Sequence, residues 1–235
     1  MTHSERSAPM ASKEKVLLCF SGGKDSALAL AEIQRAGCYE IAALLTTITA
    51  DYDRVSMHGI PTSLLESQAE SLGYPLEKVL ITAGADNAEY ETRMSELLLR
   101  YRQKGVGAVV FGDLFLQDVR EYREANLAKV NMQAIFPLWL KPTDSLAEEF
   151  ITAGFRAVIT CVDSEKLDGK FVGRQFDWHF LDDLPDSVDP CGENGEFHSF
   201  VYDGPIFSSL IPHTLGQTVV REDRFYFIDL LPLSP

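Results

Sequence analysis

The chain has 235 residues, 46% hydrophobic and 24% charged, a balance that excludes a disordered or fibrous polymer and suits a globular enzyme with a substantial core. Lys and Arg total 21 against 35 Asp and Glu, and the formal charge of -14 argues against broad capture of nucleic acid or an anionic membrane, leaving room for a local basic pocket. Cys19, Cys38, Cys161 and Cys191 are scattered without a CxxC pair, which reads as reduced, structural thiols suited to the cytoplasm.

Residues 1–13 are polar, lack the apolar core of a signal peptide and read as a flexible tail; no later run is long enough to cross a bilayer. Val16 to Phe20 is a continuous apolar run, as expected of a central parallel strand covered on both faces, and Ala27 to Ala36 reads as a helix stopped by Gly37. Ile41 to Thr47 reads as a second strand. Thr62 to Leu72 carries Leu64, Leu65, Ala69 and Leu72 at helical spacing before Gly73, and Val79 to Thr82 reads as a short third strand.

Tyr90, Met94, Leu97, Leu98 and Tyr101 fall on one helical face, a stripe read as core. Gly107 to Phe111 is another apolar strand, and the later half of "GDLFLQDVREYREANL" is helical but polar. "AIFPLW" and "RAVITCV" are two further strand candidates, separated by a helix over Ser145 to Ala153. The alternation predicts a doubly wound parallel α/β sheet over residues 14–163, with ligands beyond the carboxyl ends of its strands. After about Asp163 the chain turns to short segments rich in Asp, Gly, Pro and aromatics, read as a smaller C-terminal subdomain, 164–235, lying over that ligand end.

The chemistry concentrates first in "CFSGGKDSALAL". Its glycines are adjacent and Asp follows Lys, so it fits neither a Walker A loop nor a GxGxxG fingerprint. It places Ser21, Gly22, Gly23, Lys24, Asp25 and Ser26 between a strand and a helix, where unpaired amides and the helix dipole favour an anion. Gly22 and Gly23 let backbone amides approach oxyanions, Ser21 and Ser26 offer hydroxyls, and Lys24 offers charge. Asp25 is expected to position the loop or contact Mg²⁺. The plainer alternative makes Ser26 an N-cap and the glycines a turn.

This loop resembles that of the PP-loop ATP pyrophosphatases, a resemblance that implies a Rossmann-like, adenine nucleotide alpha hydrolase-like fold and cleavage of ATP between its α and β phosphates, with Mg²⁺ and Lys24 stabilising the leaving pyrophosphate. "MHGIP", "VVFGDLFLQDVREYRE", "FPLW" and "CGENGEFHSFVYDGPIF" extend the likeness from Lys15 to about Phe207 and are similar to the diphthine-ammonia ligase family. That resemblance implies activation of a carboxylate-bearing acceptor by ATP and its conversion to an amide with ammonia. Diphthine-forming members carry a Glu-Gly-Gly-Glu type of core ending in an acid. Here Asn194 replaces a glycine and His198 stands at the acid's place, which is closer to a sister subgroup linked to corrinoid amide metabolism.

Gly112 and Asp113 follow a buried strand at the nucleotide edge; Asp113 can hold a hydroxyl or a metal, or simply cap a helix. Arg120, Tyr122, Arg123 and Glu124 lie on the next helix, where the arginines can neutralise a substrate carboxylate or phosphate, or form a solvated charged face. Glu193, Glu196 and His198, folded over the nucleotide, are candidates to attract and deprotonate ammonium; the alternative is an acidic turn. His58 is the weaker substrate-site candidate. The competing functions are a PP-loop tRNA-modifying enzyme and a non-catalytic ATP-binding regulator. The expected ammonia source is free ammonia or a separate donor, since the length leaves no room for a glutaminase domain, and a homodimer is compatible with the sequence.

Overall fold

Val16, Leu17 and Leu18 alternate between two apolar layers, and this places β1 (Glu14–Cys19) at the centre of a sheet covered on both sides. The computed structural model describes residues 13–55, 59–84 and 87–233. After β1 come α1 (Lys24–Ala36), β2 (Tyr39–Thr49), β3 (Arg54–Val55), α2 (Thr62–Leu72), β4 (Leu76–Ile81), α3 (Asn87–Gln103), β5 (Ala108–Val110), α4 (Gln117–Ala128) and β6 (Gln133–Ile135). They form a mostly parallel, Rossmann-like sheet ordered β4-β2-β1-β5-β6, with β3 folded back antiparallel on the end of β2.

Helix ends follow the expected chemistry. Gly37 and Gly73 take left-handed conformations (φ 69° and 77°), which lets their amides reach back to Ile33 and to Ala69 and Glu70. Strand order does more for function. The chain steps outward from β1 through β2 to β4, then returns to the other side of β1 as β5 and continues to β6. That reversal opens a crevice between the loops leaving β1 and β5 at their carboxyl ends.

The second layer comprises α5 (Thr143–Thr152), β7 (Arg156–Asp163), a 3-10 turn at Gly169–Phe171, α6 (Trp178–Asp182), β8 (Phe197–Asp203), β9 (His213–Arg221) and β10 (Phe225–Pro232). Its sheet is antiparallel, ordered β8-β7-β10-β9. Here the structure corrects one expectation: "RAVITCV" is β7 of this second sheet, not a strand of the parallel one. An apolar run preceded by a helix looks the same in either sheet, and only its non-local pairing with β8 and β10 decides. The "FPLW" of "AIFPLW" likewise leaves the strand after Ile135 and forms a turn, because Pro137 cannot donate to a ladder. The last segment, with no glycine or asparagine at its turn to advertise a hairpin, makes one through Glu222 and Asp223, both left-handed (φ 54° and 50°).

One apolar cluster joins the two sheets: Leu30 of α1, Leu64 of α2, Phe150 of α5, Val158 of β7 and Phe200 of β8 are all buried in it. The other lies beneath α3 and α4. Leu97, Leu98 and Tyr101 are buried in it and Met94 packs against it, as expected, while Tyr90, Met94 and Leu98 also wall a cavity of about 400 Å³ between the two helices. Among the described residues no helix is long and apolar enough to cross a membrane.

Gly112 is where the loop after β5 touches the first turn of α1. A Cβ there would lie 2.9 Å from the backbone carbon and oxygen of Asp25 and 3.0 Å from the amide nitrogen of Ser26. Neither backbone can give way alone, so Gly112→Ala is expected to cost about 1–3 kcal/mol in urea unfolding through overpacking. An unchanged midpoint would mean that the loop and the helix do not bear on each other.

Candidate functional site

The loop leaving β1 spends its last ladder bond at Phe20, whose amide donates to Leu45 at 2.8 Å. Gly22 then turns left-handed (φ 82°), and Gly23 becomes the N-cap of α1 with no side-chain cap. Ser26 is therefore not the cap; it sits inside the first turn and donates its hydroxyl to the Gly23 carbonyl at 2.8 Å. Ser21 Oγ accepts from the Gly23 amide at 3.3 Å. The Lys24 amide donates to Ser199 Oγ of β8 at 3.2 Å.

Lys24 was expected to lend its charge to an anion. In the structure its side chain is buried, with Nζ held by both Asp25 carboxylate oxygens at 2.9 and 2.8 Å and by the Cys191 carbonyl. The rings of Phe197 and Phe176 lie 5.5 and 5.9 Å away. Burial opposes its charge, but Asp25 beside it holds the ammonium protonated beyond its ordinary range. Both oxygens of Asp25 are thus committed to Lys24. Among the described residues no three His, Cys, Asp or Glu side chains converge on a metal centre. The residues do not fit a protein-held Mg²⁺ in this arrangement.

The "GENGEFH" turn reaches the same crevice from the second layer, and its residues separate into two roles. Glu193 lines the cleft, its Oε1 accepting from the amides of Leu114 at 2.8 Å and Phe115 at 3.4 Å, in the loop after β5. Burial pushes its carboxyl up to about 7, against the pull of the Leu114 amide and with the push of Asp25. Glu196 is buried outside the cleft lining, accepting from the Asp189 amide at 3.2 Å and Asn194 Nδ2 at 3.0 Å. Asn194 also gives its carbonyl to Lys166 Nζ. These two hold the turn. His198, in β8, lines the cleft, and burial followed by the charge of Lys24 pushes its imidazole down to about 4, so it is neutral at pH 7.

On the other wall Gly112 and Asp113 face the cleft, and Asp113 is gripped by Arg123 through Nε at 2.8 Å and Nη2 at 3.0 Å. Arg123 also lies over Phe111, 4.4 Å from its ring centre. Asp113 therefore orients an arginine rather than capping α4, whose N-cap is Leu116. The other three residues expected on this helix do not line the cleft. Arg120 pairs with Glu124 at 2.8 Å and covers Phe136 and Trp139, while Tyr122 donates to Glu91 at 3.2 Å. His58 lies outside the described residues.

The cleft so formed has a volume of about 650 Å³ and takes walls from both layers. Sequence reasoning missed Ser199, Thr46 and Thr47, which also line it. It missed Asp189, whose carboxylate accepts from the Glu193 amide at 2.8 Å, and Gln68 of α2, which binds the loop from behind. Gln68 carried a readable signal: it lies four residues from both Leu64 and Leu72, so a polar amide stands on the apolar face of that helix.

Comparison with known proteins agrees with this two-part architecture. Residues 14–133 match the family "Diphthamide synthase N-terminal domain", and residues 142–226 match "Diphthamide synthase C-terminal domain". A relative from Danio rerio named diphthine–ammonia ligase is 26% identical over 231 residues, covering 89% of this chain and 90% of its own. A Homo sapiens relative of the same name is 27% identical over 234 residues, covering 88% and 85%. One from Schizosaccharomyces pombe is 26% identical over 230 residues, covering 87% of this chain but 37% of the longer relative. With a family match along each layer, the chain belongs to the diphthamide synthase family.

Proposed function

We propose that this protein is an ATP-dependent carboxylate–ammonia ligase. ATP enters the crevice between β1 and β5 with its terminal phosphates against Ser21 to Ser26. A carboxylate oxygen of the acceptor attacks the α phosphorus, the bond between α phosphorus and bridging oxygen breaks, and pyrophosphate leaves. Ammonia then attacks the acyl carbon, AMP departs, and the amide remains. The carrying observation is the meeting of Glu193 with the loop after β5 at the same crevice as the uncapped start of α1. The relatives' name, diphthine–ammonia ligase, supports the ligase class.

Each residue's part follows from its surroundings. The start of α1 supplies oriented amides and the positive end of its dipole, which stabilise charge growing on pyrophosphate without reorganising. Glu193, with its carboxyl near neutrality, takes the proton that ammonium or the attacking nitrogen must lose. His198, neutral, donates or accepts a hydrogen bond without adding charge. Mg²⁺ comes as the partner of ATP, carried on its phosphates, since Asp25 is committed to Lys24. The formal charge of -14 weighs against a tRNA substrate, and the four free cysteines suit a cytoplasmic protein.

The decisive assay incubates the protein with Mg·ATP, ammonium and a panel of carboxylates and follows AMP and the amide by mass spectrometry. A nucleotide-binding regulator would retain ATP unchanged, and that result would overturn the proposal.

Glu193 acts as a base, so it must be deprotonated, and amide formation is expected to rise with pH through about 7. Glu193→Gln retains an oxygen acceptor for Leu114 and Phe115 but not the proton acceptor. It is expected to remove that limb and lower amide formation about 100-fold, leaving exchange of pyrophosphate into ATP in place. An unaltered pH profile would dismiss Glu193 from this role.

Lys24→Ala strands the Asp25 carboxylate. It is expected to cost about 1–3 kcal/mol in urea unfolding, less than a fully buried charge because Asp25 keeps contact with the cleft. Turnover is expected to fall at least about tenfold. Adding Asp25→Asn is expected to return most of the stability and none of the turnover; recovery of both would make Lys24 purely structural.

A further inference from the structure

Gln68 is completely buried on α2, and its side-chain amide donates from Nε2 to two backbone carbonyls, that of Gly22 at 3.0 Å and that of Val201 in β8. Its orientation is dictated by chemistry, because the reverse placement would set an oxygen against two oxygens. The cost is visible on the other side: Gln68 Oε1 is buried with no hydrogen-bond partner. A leucine at this point of an apolar helix face would avoid that cost, so something other than packing is served.

What is served can be read from peptide geometry. The Gly22 carbonyl also accepts from the Val201 amide at 2.9 Å, so two donors from two different elements fix one oxygen. In a trans peptide the carbonyl and the following N–H point in opposite directions. Fixing the Gly22 carbonyl towards α2 and β8 therefore fixes the Gly23 N–H in the other direction, towards Ser21 Oγ and the cleft that Gly23 lines. The Gly22–Gly23 peptide is the one in the loop with least resistance to flipping, since neither residue has a Cβ. A flipped peptide would present an oxygen, not an amide, to an anion.

We propose that Gln68 is a positioning residue for anion binding: it holds the Gly22–Gly23 peptide with its N–H facing the nucleotide phosphates. This rests on the reading of the loop as a phosphate site. Gly22 cannot have its side chain enlarged to test it, because a Cβ there would fall 2.6 Å from Gln68 Oε1 and the residue is left-handed. Gln68 itself can be changed.

The test measures ATP and pyrophosphate binding by calorimetry for the wild type, for Gln68→Met, which keeps volume but removes both donated bonds, and for Leu72→Ala, a packing change on the same helix. Gln68→Met is expected to weaken both ligands about tenfold or more, the loss of one amide bond to a charged oxygen. Leu72→Ala, with an equal or larger fall in melting temperature, is expected to bind both as the wild type does. Should Gln68→Met not fold, Gln68→Asn keeps the amide on a shorter arm and is expected to weaken binding in the same direction. Equal weakening by Leu72→Ala, or wild-type affinity in a folded Gln68 variant, overturns the positioning role and leaves the ligase reading standing. A wild type that binds neither ligand overturns both.

Discussion

The structure depends on β8 as much as on β1. The strand that delivers the loop also needs a strand that holds it, and β8 supplies the Val201 amide to the Gly22 carbonyl and the Ser199 hydroxyl to the Lys24 amide. These are directional bonds at the start of α1, where the proposed reading puts the nucleotide phosphates. The second layer is therefore not an appendage beside a finished site for the proposed nucleotide. It is the rear wall of that site.

The same logic explains why the turn before β8 reaches forward. Glu193 bonds to the loop after β5, Cys191 gives its carbonyl to Lys24, and Glu196 stays behind to shape the turn. Charges in this region are arranged in a chain: Lys24 faces Asp25, Glu193 feels Asp25, and His198 feels Lys24. A change in any one of them alters the proton affinity of the next. The nucleotide of the proposed reaction would bring its own negative charge into this chain.

How much of this could be read from the residues depended on distance along the chain. The unit from Val16 to Ala36 was legible because strand, glycine turn and helix are local patterns, and the parallel character of the first sheet followed from alternation. The sheet to which β7 belongs was not, since its run of buried residues is equally compatible with either layer. The residues of the "GENGEFH" turn were legible as a group, but the separation of Glu193 from Glu196 rests on partners 79 and 7 residues away respectively. Lys24 was read as lending its charge to an anion; one of its partners, Asp25, is the next residue, but the other, the Cys191 carbonyl, is 167 residues distant.

The contact between Gly22 and Val201 also sets an order of events during synthesis. Lys24 and Ser199 lie 175 residues apart, so the loop leaves the ribosome well before the strand that fixes it. A nascent chain stopped before β8 carries the glycine-rich motif in full but lacks the Val201 and Ser199 bonds that hold it. In the proposed reading, competence to hold a nucleotide is thus acquired only once β8 has been made.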